Sequence, residues 1–154
     1  MTVVSDTSCI TTLLKAAQLG LAEALCGVLQ VPTAVWEELV VFHQQVPAGV
    51  VRTGANGGAR LASGLDELGR GEAEAITLAL QISADLFLTD DQEAARAARQ
   101  LGLKVIGTVG LTLLAKRKGL IPSVRETLDL LQERGGLYLS EAVRLEALRL
   151  AGEE

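Results

Sequence analysis

An α/β domain, with a mostly parallel central sheet covered by helices, is the fold this sequence predicts, and three observations predict it. Short β-prone runs alternate with helical stretches along most of the chain, with crossovers long enough to bring each strand back in the same direction. Hydrophobic residues make up 49% of the sequence but aromatics only 3%, so Leu, Val, Ile and Ala must build the core, which suits helices packed on a buried sheet. A length of 154 residues fits one domain with a sizeable interior, and no second domain is needed.

Taken in order, Thr2 to Ser5 reads as a strand and Cys9 to Leu19 as a helix with Ile10, Leu13, Leu14 and Ala17 on one side. A short helix around Glu23 to Leu25 leads to a strand from Val28 to Val31, which Pro32 closes before a helix from Ala34 to Phe42. Residues 44–64 are rich in Gly, Ala and Val, with Gly54, Gly57 and Gly58 close together. They predict a loop or irregular helix and the most mobile segment of the domain. Glu72 to Gln81 is a helix, Leu86 to Thr89 a strand, Gln92 to Leu101 an Ala/Arg helix stopped by Gly102, and Lys104 to Ile106 a strand. Thr108 to Lys118 is helical and ends at Gly119. Ser123 with Glu126 three residues on is a capping-box signature for a helix reaching Arg134, and Ser140 caps a last helix from Glu141 to Ala151. Residues 123–154 are therefore C-terminal helices.

A net charge of −5 argues against a generally basic nucleic-acid binder, though not against a local basic surface. The start, Met1-Thr2-Val3-Val4-Ser5-Asp6, lacks the basic and apolar runs of a secretory signal, and no stretch is apolar enough to span a bilayer, so a cytoplasmic protein without membrane attachment is expected. Cys9 and Cys26 have no neighbouring His to suggest zinc spacing and read as buried thiols.

Acidic residues stand where strands should hand over to helices, or on the helices that follow: Asp6, Glu38, Glu72 with Glu74, and Asp90-Asp91. In an open parallel sheet the carboxyl ends of the strands gather on one edge, where Asp6 and the Asp90-Asp91 pair should project and Glu38 and Glu72 can join them. Carboxylates brought together this way repel and lose hydration unless a cation compensates them, so a divalent metal site is the leading reading. Glu72 and Glu74 lie roughly 200° apart around a helix, so only one of them should face an ion, and Glu72 is preferred. Each residue also has a plainer role open to it. Asp6, Asp90 and Asp91 can cap the helices they precede, and acids near helix starts, Glu37 above all, can be solvated ones favoured by the dipole.

The other polar residues divide the same way. Thr7, Ser8 and Thr89 can bond to the carboxylates, to a phosphate or to local backbone. His43 reads as a surface or partly buried side chain, since a metal-activated water needs no histidine base, and Trp36 as a packing residue. Lys116-Arg117-Lys118 is either a solvated helix end or, with Arg96, Arg99 and Lys104, a set of phosphate contacts.

Val4-Ser5-Asp6-Thr7-Ser8, Val35-Trp36-Glu37-Glu38-Leu39, Gly71-Glu72-Ala73-Glu74-Ala75-Ile76 and Leu88-Thr89-Asp90-Asp91 together resemble the acidic motifs of PIN-domain nucleases. The chain is most similar to an uncharacterised prokaryotic PIN subfamily and more loosely to VapC-like toxins. Gly107 to Leu111, Ala115 to Ser123 and Leu139-Ser140 resemble that subfamily's C-terminal half. The resemblance implies a single PIN-like three-layer domain over residues 1–154, with Asp6 as central metal ligand, Glu38 as second acid, Glu72 as third with Glu74 competing, and Asp90 or Asp91 as fourth. The wider family's Thr-x-Asp spacing favours Asp91.

It further implies an Mg²⁺- or Mn²⁺-dependent endoribonuclease, the toxin of a toxin–antitoxin pair, acting as a homodimer with RNA as substrate and a small antitoxin as partner. Ser8, Thr89, Arg96, Lys116, Arg117 and Lys118 are the expected nucleic-acid contacts. A non-catalytic RNA- or protein-binding module of the same fold and a structure-selective DNA nuclease are the alternatives.

Overall fold

The computed structural model describes residues 1–54, 61 and 64–154. The chain starts with β1 (Val3–Ser5), buried at every position, as expected of a central parallel strand covered on both faces. Asp6 ends it and caps α1 (Thr7–Lys15) by accepting the Cys9 N–H. The predicted helix to Leu19 is interrupted. Ala17 takes φ 56°, and α2 (Leu19–Cys26) begins as a separate helix. Gly27, at φ 72°, turns the chain into β2 (Leu29–Val31), and α3 (Thr33–His43) follows.

The segment 44–64, read from sequence as loop or irregular helix, contains an edge strand, β3 (Val50–Arg52). Only Val50 of its residues is buried, so the strand shows no hydrophobic alternation. The glycines expected to loosen this segment at positions 57 and 58 lie outside the described residues. Then come α4 (Arg70–Gln81), β4 (Leu86–Leu88), α5 (Gln92–Gln100), β5 (Val105–Ile106), α6 (Thr108–Arg117), α7 (Val124–Glu133) and α8 (Glu141–Leu150). Ser123 and Ser140 cap the last two helices through the Glu126 and Val143 N–H groups, as their spacing predicts.

The five strands pair in parallel in the order β3-β2-β1-β4-β5. Val3 stands opposite both Leu29 and Leu86, and Ser5 opposite Leu88. The chain therefore builds outward from β1 on one side and returns to build on the other, which leaves a topological switch point between the carboxyl ends of β1 and β4. Val3, Val4, Leu29, Phe87 and Leu88 form the sheet's share of the core, and Ile10, Leu39, Ile76, Leu111 and Leu128 pack against it from the helices. The switch point is where Asp6 and Thr89 emerge. Among the described residues no helix is long and apolar enough to cross a membrane.

Candidate active site

Asp6 is completely buried. Its Oδ1 accepts the Cys9 N–H at 3.1 Å and its Oδ2 the Thr89 hydroxyl at 2.5 Å, while Ser8 Oγ reaches both oxygens at 3.1 and 3.2 Å. Desolvation nonetheless raises its pKa to about 6. The bonds from Thr89, Cys9 and Ser8 oppose that rise, and the charge of Glu72 adds to it. Asp6 is thus a helix cap and, at the same time, a strained anion next to another anion.

Glu38 and Glu72 line one open cleft of about 510 Å³ with Thr7 and Ser8. Both acids are placed by glycines. A Cβ on Gly71, in the first turn of α4, would strike Glu38 Oε1, and one on Gly69 would meet Glu72 Oε2. Backbone without side chains is what lets α3 seat its carboxylate against the start of α4. Glu72 lies in the first turn of α4, where the helix dipole favours its charge. Neither acid, nor Asp6, makes an ion pair among the described residues.

Asp90 and Asp91 line a second cleft of about 720 Å³, with Arg96 and Arg99 of α5 on its wall. Asp90 accepts the Thr108 N–H at 2.8 Å and the Thr108 hydroxyl at 3.1 Å, and a Cβ on Gly107 would lie 2.6 Å from its Oδ1. Burial pushes its carboxyl up, against the two Thr108 bonds. The Cys9 thiol is held well above its ordinary range by desolvation and then by the charges of Asp90 and Asp6, so Asp90 stands near the residue that Asp6 caps. Cys9 and Cys26 are both free and buried, in line with the reading of inert thiols.

Several of the expected site residues are engaged in local bonds. Glu74 is not in the cleft: it accepts the Ala34 N–H at 3.2 Å and Arg70 Nε at 2.8 Å, and so caps the start of α3. Asp91 caps α5 through the Ala94 N–H at 2.8 Å, while both oxygens of Asp90 bond Thr108, and both aspartates line the second cleft. Thr89, only 3% exposed, lines the second cleft and spends its hydroxyl on Asp6 and the Asp91 N–H.

Lys116 is engaged by Glu153 at 3.1 Å and by the Pro122 carbonyl at 2.7 Å. Arg117 and Lys118 are exposed, but α6 starts at the site and they end it, roughly 15 Å away along the axis. Of the expected basic contacts, Arg96 and Arg99 stand on a cleft beside the acids. Glu37 pairs with exposed Arg70 at 3.6 Å, and Trp36 packs under the Arg52 guanidinium at 5.9 Å. Sequence reading missed the seats at Gly69, Gly71 and Gly107, and it missed Thr11 and Lys15, which share the Glu38 cleft. The spacing of Ser8, Thr11 and Lys15 on one helix face was the available signal.

The residues fit a hard divalent cation in kind. Asp6, Glu38 and Glu72 offer only oxygen, none of them makes an ion pair among the described residues, and among those residues the Thr7 hydroxyl on the cleft wall is buried without a partner. Among the described residues, however, no three acidic, imidazole or thiol groups are gathered tightly enough to hold an ion. Gripping one therefore requires a side-chain change from the positions described.

The family model DUF3368, described as a PIN domain, matches residues 2–153. Among solved structures, a PilT N-terminus domain protein, SSO1118 from the hyperthermophilic archaeon Sulfolobus solfataricus P2, is similar at 15% identity and a TM-score of 0.47, over 92% of this chain and 99% of that one. A search of curated proteins finds no match. With its family model spanning nearly the whole chain and its acids at the switch point of a parallel sheet, the protein belongs to the PIN-domain family, a fold generally of nucleases.

Proposed function

We propose that this PIN domain is a metal-dependent endoribonuclease that hydrolyses RNA phosphodiester bonds. The observation that carries the reading is the buried Asp6 carboxylate, its pKa raised to about 6 by desolvation and by Glu72, with Glu38 and Glu72 on the adjoining cleft and none of the three in an ion pair among the described residues. Asp6, Glu38 and Glu72 would hold Mg²⁺ or Mn²⁺, with Asp90 approaching from the second cleft. A bound divalent ion supplies an acidified water and neutralises charge on the phosphate oxygens.

The chain's own groups do the positioning. Thr89 and Ser8 fix the Asp6 carboxylate and withhold it from bulk water. Gly71 and Gly69 place Glu38 and Glu72. In the reaction water adds to phosphorus, one P–O bond breaks, and the leaving oxygen takes up a proton.

The resemblance to toxin-type relatives supports a cytoplasmic homodimer restrained by a small antitoxin that covers the acidic cleft. The separation of Asp90 from Glu38 and Glu72 into two clefts favours a second reading, a non-catalytic RNA-binding module. One experiment decides between them: purified protein incubated with single-stranded RNA, single-stranded DNA and duplexes in Mg²⁺, Mn²⁺ or EDTA, beside Asp6→Asn. Metal-dependent RNA cleavage lost in Asp6→Asn establishes the enzyme; RNA binding without cleavage in either metal establishes the module.

A further inference from the structure

The cleft of Glu38 and Glu72 has a far end of different chemistry. Thr11 and Lys15 follow Ser8 along one face of α1, and Phe42 and His43 close that end from the last turn of α3. His43 Nε2 lies 3.0 Å from Thr11 Oγ1, so the imidazole is tied across the cleft to α1. Lys15 is exposed and makes no ion pair among the described residues. Phe42 is 66% exposed, although it lines the same cleft.

We propose that this end is a subsite for the nucleotide adjoining the scissile phosphate, with Lys15 and His43 on its phosphate and Phe42 stacked against its base. The proposal rests on the nuclease reading above. A polyanion entering this cleft meets carboxylates at one end, so its next phosphate gains only where positive charge and donors stand. Within the cleft, Lys15 supplies the charge, and the Thr11–His43 pair, with one of its two protons spent on their mutual bond, supplies one donor held in place by it.

The bare ring supplies what a lysine cannot. Bases stack on exposed aromatic faces whatever their sequence, and the face is available only when the base is unpaired. Lys15 stands two turns of α1 beyond Ser8, roughly 10 Å along the axis. The subsite is therefore separate from the acids and lies beside them. Single-stranded nucleic acid is the ligand class this combination selects, and duplex is disfavoured.

The test uses the full chain carrying Asp6→Asn, so that bound RNA is not consumed, with binding followed by anisotropy of a fluorescein-labelled single-stranded oligonucleotide in Mg²⁺ over a range of salt. Adding Lys15→Ala should reduce the slope of log affinity against log salt by about 0.7, one phosphate contact on a single strand. Adding Phe42→Ala should weaken binding about tenfold and remove the fluorescence quenching of a strand containing 2-aminopurine, and Phe42→Trp should restore both. His43→Ala should weaken binding several-fold with its thermal melt unchanged. RNA and DNA arms of the same sequence separate the two single-stranded sources.

Unchanged affinity, slope and quenching in the Lys15 and Phe42 variants, in a protein whose Asp6-intact form cleaves RNA with metal, would overturn the subsite and leave the nuclease reading standing. An Asp6-intact protein that neither binds nor cleaves single strands in Mg²⁺ or Mn²⁺ overturns both. Phe42→Ala that leaves RNA binding intact but converts a dimer to a monomer in sedimentation assigns this face to a second copy of the chain and overturns the subsite.

Discussion

Asp6 carries two demands that a single carboxylate meets poorly. As a buried cap it is useful in either protonation state, but as an anion beside Glu72 it is desolvated and repelled. Asp6→Asn removes the charge and keeps an acceptor for the Cys9 N–H. The variant should lose metal-dependent cleavage by at least a hundredfold while its melting temperature holds or rises, read by calorimetry and by cleavage of labelled RNA. Gly71 makes the complementary case. Gly71→Ala puts a methyl where Glu38 Oε1 now sits, and the flexible side chain moves aside more readily than the backbone. Activity should fall at least tenfold with stability changed by less than about 1 kcal/mol, and a melt that collapses instead would show that the backbone yields. Neither glycine seat was visible in the sequence, because a glycine before a glutamate reads first as a helix start. Asp6 and Glu72 were visible because their order along the chain is itself informative.

Helix ends decide which member of each acidic doublet is structural. Glu74 closes the start of α3 and holds Arg70, whereas Glu72 faces the cleft. Glu74→Ala should therefore lower stability by about 1 kcal/mol with activity nearly intact, and Glu72→Gln should do the reverse; paired urea titrations and cleavage rates check the split. Helical phase separated these two in the sequence, since two residues cannot share a face. The choice between Asp90 and Asp91 could not be made that way, because both lie in the turn after β4 and only the packing of Gly107 and Thr108 shows which is buried. β3 escaped for a related reason: an edge strand with two of three residues exposed carries no burial pattern to read. The break between α1 and α2 depends on Ala17 at φ 56°, a conformation that glycine adopts without cost.

Across the whole molecule, Glu153 joins elements far apart in sequence. It accepts the Val124 and Arg125 N–H groups at 2.7 and 3.1 Å, the Ser123 hydroxyl at 3.0 Å and Lys116 Nζ at 3.1 Å. Desolvation pushes its carboxyl up, but those bonds together outweigh it and lower the pKa from 4.5 to about 2. A depressed acid stabilises the fold fully above its unfolded value and loses that contribution as pH falls through its folded one. Glu153→Gln should therefore destabilise by about 1 kcal/mol near neutrality, allowing for its surface position, and narrow the gap to wild type between pH 4.5 and about 2 in acid titrations followed by circular dichroism. The same clamp redirects the electrostatics of RNA binding. With Lys116 committed and Arg117 and Lys118 at the far end of α6, replacing Arg96 and Arg99 by Ala should flatten the salt dependence of RNA affinity more than replacing Arg117 and Lys118. Equal slopes for the two double variants would return the basic run to the binding surface.

The strand order has a consequence for the life of the chain before it is complete. β1 is made first, yet the aspartate that follows it is held by Thr89, 83 positions further on, and Ser5 waits for Leu88 as its neighbour. Contacts of such long sequence separation form late in folding. A ribosome that has released β1, β2 and β3 has therefore exposed Asp6, Glu38 and nothing to hold them together. The acidic centre comes into being only when β4 slots in beside β1, so whatever this domain does to RNA, a nascent or truncated copy ending before residue 89 should not do it to the message from which it is being translated.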